Sequence, residues 1–228
     1  MIERFSLTAE IGEVVKRFGV SEIIQGITSR FNVAPTQTVS IVMNDRHNVK
    51  VLQEARWGLF PFWAKDSINA DQEMLTDKPY LHRMLSSQRC VIPCSGFYGQ
   101  KQFRHERDAR AMHTVVPSQP LFGVAGIFDR WRHVNGKEVC AFTMLTAATT
   151  GTMSVWQSHV PVILDEEGIE DWMDPTIKEF SKLRKHLEAM ESYLMRSYPV
   201  TNAVNDERYE APDCIHEIVR PEFALKNV

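Results

Sequence analysis

LFGVAGIFDRWRHVNGKEVCAFTMLT, residues 121–146, holds two apolar, strand-like runs, 121–131 and 139–146, on either side of Asn135-Gly136. An Asn-Gly pair supplies the positive φ angles of a two-residue hairpin turn, so this stretch predicts an antiparallel β-hairpin. Further runs of the same kind stand at 38–44, 49–56, 89–98 and 113–117, with turn formers such as Asn44-Asp45 between them. Two shorter strand candidates follow at 197–200 and 215–219.

Helical spacing is confined to the flanks. Leu7, Ile11, Val14, Val15 and Phe18 recur at helix period, with Ser6 or Thr8 as cap candidates and Gly19 as the stop. A second stripe, Phe180, Leu183, Leu187, Met190 and Leu194, predicts another helix, and 166–173 a short one before Asp174-Pro175. Strands and helices do not alternate, so the expected fold is α+β with a largely antiparallel or mixed sheet. Without repeats or a linker, residues 1–228 are expected to form a single domain.

Composition narrows the function. The chain has 228 residues, 43% apolar and 24% charged, a balance suited to a soluble globular protein. The first residues carry Glu3 and Arg4 in place of an apolar leader, which predicts a cytoplasmic protein with no membrane partner. Cys90, Cys94, Cys140 and Cys214 form no C-x-x-C pair and are expected as buried thiols. Net charge is −3, but residues 1–110 hold 15 Lys+Arg against 12 Asp+Glu, and the remainder 11 against 17. Such a balance allows a local phosphate site and excludes the broad basic face of a nonspecific duplex binder.

Motifs for phosphate-loop nucleotide binding, dinucleotide binding, zinc proteolysis and the serine nucleophile elbow are absent from the sequence. His105, Glu106 and Asp108 lie in HERDAR (105–110), a charged stretch read as a solvated loop, so neither a metal nor a cofactor is expected. What stands out is a set of blocks rich in Pro, Gly, Asn and Trp: FNVAPTQ (31–37), RWGLFPFWAKD (56–66), INA (68–70), RCVIPCSGFYG (89–99), LTAATT (145–150) and VPVIL (160–164). These residue types in short connections suggest a cleft built from loops. Trp57, Pro61, Phe62 and Trp63 serve either as a core plug or as a platform on which unpaired bases stack.

In that order the blocks resemble the SRAP family of SOS response-associated peptidases, also known as abasic-site-processing proteins. The resemblance implies a barrel-like β core that binds single-stranded DNA at abasic sites, and a role in the DNA-damage response. It also implies an N-terminal cysteine that closes a thiazolidine on the ring-opened sugar, giving a DNA–protein crosslink, with peptidase-like self-processing. Here the family opening M-C-G-R-F reads Met1-Ile2-Glu3-Arg4-Phe5, so the nucleophile position holds Ile2. N-A-R-x-E reads Asn69-Ala70-Asp71-Gln72-Glu73, which keeps the active-site Asn69 but replaces a phosphate-holding arginine with Asp71. Gly99 stands at the position of an acid/base glutamate. Aligned without gaps, Gln157 takes the place of the family histidine and His159 that of a second arginine; a two-residue shift would return His159 to the histidine role, against the anchor of Pro161.

Isoleucine, glycine and glutamine supply neither nucleophile nor proton carrier. The implied function is therefore that of a pseudoenzyme, a monomer associated with the nucleoid when bound to single-stranded or abasic DNA, without stable thiazolidine crosslinking. The alternative is an active abasic-site enzyme working through the Met1 α-amine or His159. Candidate DNA-binding residues are Arg4, Asn32, Pro35, Arg56, Trp57, Lys65, Arg89 and Thr146.

Overall fold

The computed structural model describes residues 2–25, 29–61, 64, 66–103, 107–132 and 138–219. The chain opens with β1 (Phe5–Leu7), α1 (Ile11–Phe18) and β2 (Glu22–Ile23), then runs through β3 (Arg30–Val33), β4 (Thr38–Asn44), β5 (Lys50–Trp57) and β6 (Asn69–Asp71). After α2 (Pro79–Leu85) come β7 (Arg89–Cys94), β8 (Gly96–Lys101), β9 (Arg110–Val115), β10 (Phe122–Arg132) and β11 (Glu138–Ala148). The last third holds β12 (His159–Pro161), β13 (Ile163–Leu164), α3 (Glu166–Met173), α4 (Phe180–Arg184) and β14 (Arg196–Pro199).

The expected hairpin joins the two longest described strands: β10 and β11 run antiparallel from Gly126 opposite Met144 to Arg132 opposite Glu138. Asn135 and Gly136, where its turn is expected, lie outside the described residues. From this pair the antiparallel ladder continues through β7, β4 and β5. β11 then returns to pair in parallel with β5, Ala141 opposite Arg56 and Phe142 opposite Trp57, so the five strands close into a barrel. Closure buries the inner face, and β7 and the first seven residues of β10 are covered on the outer face as well, which is why they read as near-continuous apolar runs. A second, wholly antiparallel sheet, β14-β9-β8-β1-β3, packs on the barrel. Trp57, with no exposed surface, joins the two layers between the rings of Phe5 at 5.1 Å and Phe142 at 6.4 Å.

Several local expectations change. α1 starts four residues after Leu7, capped by Glu10 and Glu13 in a reciprocal pair in place of Ser6 or Thr8, and ends at Gly19 in the left-handed conformation (φ 63°). Leu7 belongs to β1, whose pairing with β3 overrides the helical spacing. The run 89–98 divides at Ser95 into β7 of the barrel and β8 of the second sheet. The apolar stripe from Phe180 is α-helical only to Arg184. Beyond it, His186 N and Leu187 N bond three residues back, and the His186 ring is held by Asp171 at 2.8 Å, so Leu187 reaches the core from a tightened turn. The strand expected at 215–219 is replaced by the 3-10 turn Pro212–Ile215 and one bond from Ile218 N to Pro199 O.

Candidate functional site

β11 organises the site. Along one edge it pairs in parallel with β6, Met144 opposite Asn69 and Thr146 opposite Asp71. Along the other it pairs with β12, Thr146 opposite Pro161 and Ala148 opposite His159. These registers bring Asn69, Asp71, Thr146 and His159 into one cavity of about 360 Å³, completed by Asp66, Met74, Lys78 and Ser158. A smaller cavity of about 200 Å³ adjoins it through Ser158 and is lined by Glu3, Arg4, Tyr98, Gly99, Gln100, Trp156 and Gln157. The two cavities share Ser158 in their linings and are taken as the two parts of the cleft.

Asn69 donates from Nδ2 to the backbone oxygen of Ile2 at 2.7 Å, which ties the start of the chain to the cavity wall. Its Oδ1 is buried without a hydrogen-bond partner, and Ile2 is fully buried. In the smaller cavity the Gln157 side chain, itself buried, donates from Nε2 to the His159 backbone oxygen at 2.8 Å. Its Oε1 stands where a side chain at Gly99 would begin. Arg4 reaches Asn205 O at 2.6 Å and Asn32 Oδ1 at 3.4 Å, holding its guanidinium at the cleft.

An imidazole–carboxylate pair and an ammonium–carboxylate pair mark the larger cavity. His159 Nε2 lies 2.9 Å from Asp71 Oδ2, with Ser158 Oγ 3.2 Å from the other ring nitrogen. Lys78 Nζ lies 3.1 Å from Asp66 Oδ2, which accepts no aligned hydrogen bond. None of the four cysteines lines either cavity. All are free and buried, and burial raises the Cys90 and Cys94 thiols well above the usual range and Cys140 to about 11. Among the described residues no thiol lines the cleft.

Three expected DNA contacts sit elsewhere and are corrected. Asn32 is fully buried, its amide spent on the carbonyls of Val204, Asp206 and Tyr209. Trp57 is the core plug, donating from its indole to Ile68 O at 2.8 Å. Arg89 is buried, with its guanidinium divided among the carbonyls of Trp172, Leu85 and Asp174. Pro35 and Arg56 are half-buried and line neither cavity. Met1, Phe62, Trp63, Lys65, His105 and Glu106 lie outside the described residues.

Sequence reading missed Lys78, Asp66, Trp156 and Ser158 as cleft residues, because no motif spacing links them. The Lys78-Pro79 step, a helix-start signal, was the available clue to the first. Elsewhere, Glu167, Asp171 and His186 place ligand-type atoms close together, but Lys185 already lies 2.6 Å from Glu167 and 3.4 Å from Asp171, making this an ion-pair network.

The family described as SOS response associated peptidase (SRAP) matches residues 1–207. An abasic site processing protein of Bacillus subtilis (strain 168), YoqW, is 30% identical over 223 residues, covering 94% of this chain and 99% of that one. The abasic site processing protein HMCES of Xenopus tropicalis is 26% identical over 227 residues, covering 83% of this chain and 66% of its own. Among solved structures, a protein from Bacteroides thetaiotaomicron shares the fold with a TM-score of 0.77 at 21% identity, over 95% of this chain and 99% of that one.

Proposed function

This chain belongs to the SOS response associated peptidase family, and from that premise we propose that its cleft binds single-stranded or abasic-site DNA without forming a durable thiazolidine crosslink. The relatives named as abasic site processing proteins support the lesion as ligand. The observation that carries the reading is the hydrogen bond from Asn69 to Ile2 O. It links residue 2, the nucleophile position implied by the resemblance, to a residue that lines the larger cavity, which supports reading the site as a pocket with isoleucine in place of the thiol. The contact between Gly99 and Gln157 supports the ungapped alignment that assigns them to the acid/base positions. Arg4 offers a phosphate contact at the cleft, and the modest charge of the chain suits a short bound strand better than a long duplex. We read residues 1–228 as one domain acting as a monomer.

Fluorescence anisotropy with labelled intact single strand, duplex and abasic single strand tests the proposal. The abasic strand is expected to bind most tightly, with affinity falling as salt rises. Absence of binding to every strand at low salt would overturn it.

A further inference from the structure

We infer that the ε-amine of Lys78 captures the sugar aldehyde in place of the missing thiol, an inference that rests on abasic DNA entering the cleft. A ring-opened abasic sugar presents an aldehyde at C1′, and aldehyde capture needs a nucleophilic amine or thiol. Among the described residues lining the larger cavity, Lys78 carries the primary amine. It shares that wall with Asn69, which holds the backbone at the family's nucleophile position, and with the His159–Asp71 pair.

Lys78 is also well placed mechanically. It is the N-cap residue of α2, followed by Pro79, and its backbone is fixed by bonds from Lys78 N to Met74 O and from His82 N to Lys78 O. The side chain is 31% exposed, whereas its partner Asp66 is 8% exposed. The 3.1 Å contact between them is an ion pair without hydrogen-bond alignment, so the ammonium stands beside a carboxylate in the lining of the cavity.

The chemistry balances with groups at hand. Asp66 accepts one proton from the ammonium, and the Nζ lone pair attacks C1′, forming a C–N bond as the carbonyl π pair moves to oxygen. A proton passes from nitrogen to that oxygen, giving a carbinolamine. Asp66 then returns its proton to the hydroxyl, the C–O bond breaks, water leaves, and a protonated imine remains on Lys78. The linkage is reversible by hydrolysis and, lacking the ring closure that sulfur provides, is less persistent than a thiazolidine.

Borohydride reduction converts this imine to a stable amine that tandem mass spectrometry can locate. The protein is mixed with abasic single-stranded DNA and borohydride, and in parallel its affinity is measured for the same strand carrying a tetrahydrofuran analogue, which has no aldehyde. The adduct is expected on Lys78. In Lys78→Arg and Lys78→Met, each compared at a strand concentration that saturates that variant as judged with the tetrahydrofuran strand, it should fall by about tenfold or more. An adduct on Met1 or another lysine, or no adduct although the tetrahydrofuran strand binds, would overturn the assignment and leave DNA binding standing. Loss of binding to both strands by the unmodified protein would overturn the DNA reading and this inference with it.

Discussion

Gln157 fills the space in front of Gly99: a β-carbon at residue 99 would press on Gln157 Oε1 and lie 3.0 Å from Trp156 Cζ3. The two positions are coupled, since the small residue at one permits the buried carboxamide at the other.

Gly99→Glu alone is therefore expected to destabilise the protein by about 1–3 kcal/mol through overpacking. Adding Gln157→Ala should restore much of that loss, giving a coupling of about 1 kcal/mol or more in a double-mutant cycle. Urea denaturation of the four proteins measures it; strictly additive effects would show that the side chains do not meet.

His113 predicts a pH dependence. It is almost fully buried, bonded to Ser6 Oγ at 3.0 Å and Tyr198 Oη at 2.9 Å, and burial lowers its pKa from 6.5 to about 3. Between those values the unfolded chain binds the proton and the folded chain does not, so stability falls as pH drops from 6.5 toward 3. The slope is at most about 1.4 kcal/mol per pH unit. Urea unfolding at pH 7, 6 and 5 should show a decline, and His113→Gln, starting from a lower stability, should show a shallower one.

Arg89 and Arg4 should part in their effects. Arg89→Ala leaves the carbonyls of Trp172, Leu85 and Asp174 without their donor and is expected to cost about 3 kcal/mol of stability, with DNA affinity unchanged in the folded fraction. Arg4→Ala should instead weaken DNA binding and shallow its salt dependence by about one phosphate contact. Thermal melts and anisotropy titrations on both variants separate the roles.

Asn69→Leu removes the bond to Ile2 O. The expected cost is about 1 kcal/mol, with faster amide hydrogen exchange confined to the first strand and the residues before it. Unchanged exchange there would mean that Asn69 does not tether the start of the chain.

Much of the architecture was legible where local chemistry and tertiary demand agree. The Asn-Gly step announced the β10–β11 pair, residues 38–44 form β4 with those bounds, and 166–173 form α3. The barrel was legible through the family resemblance and not from local pattern, because nothing local to Arg56 or Ala141 specifies a parallel partner so distant in sequence. Trp57 and Arg89 show the same limit for side chains: aromatic density and positive charge are compatible with either a surface or a core until the surrounding carbonyls and rings are known. Asp71 and His159 each read as the loss of an arginine, and only the strands on both edges of β11 reveal that the replacements face one another.

The parallel seam between β5 and β11 also sets an order of events during synthesis. A nascent chain that has emerged from the ribosome as far as β10 still exposes the edge of β5 and lacks the strand that carries Thr146. The barrel seals only when β11 arrives, a late, non-local step of the kind that folds slowly. Until then the open edge is a template for pairing with other chains, so truncations ending before residue 138 should collect in inclusion bodies.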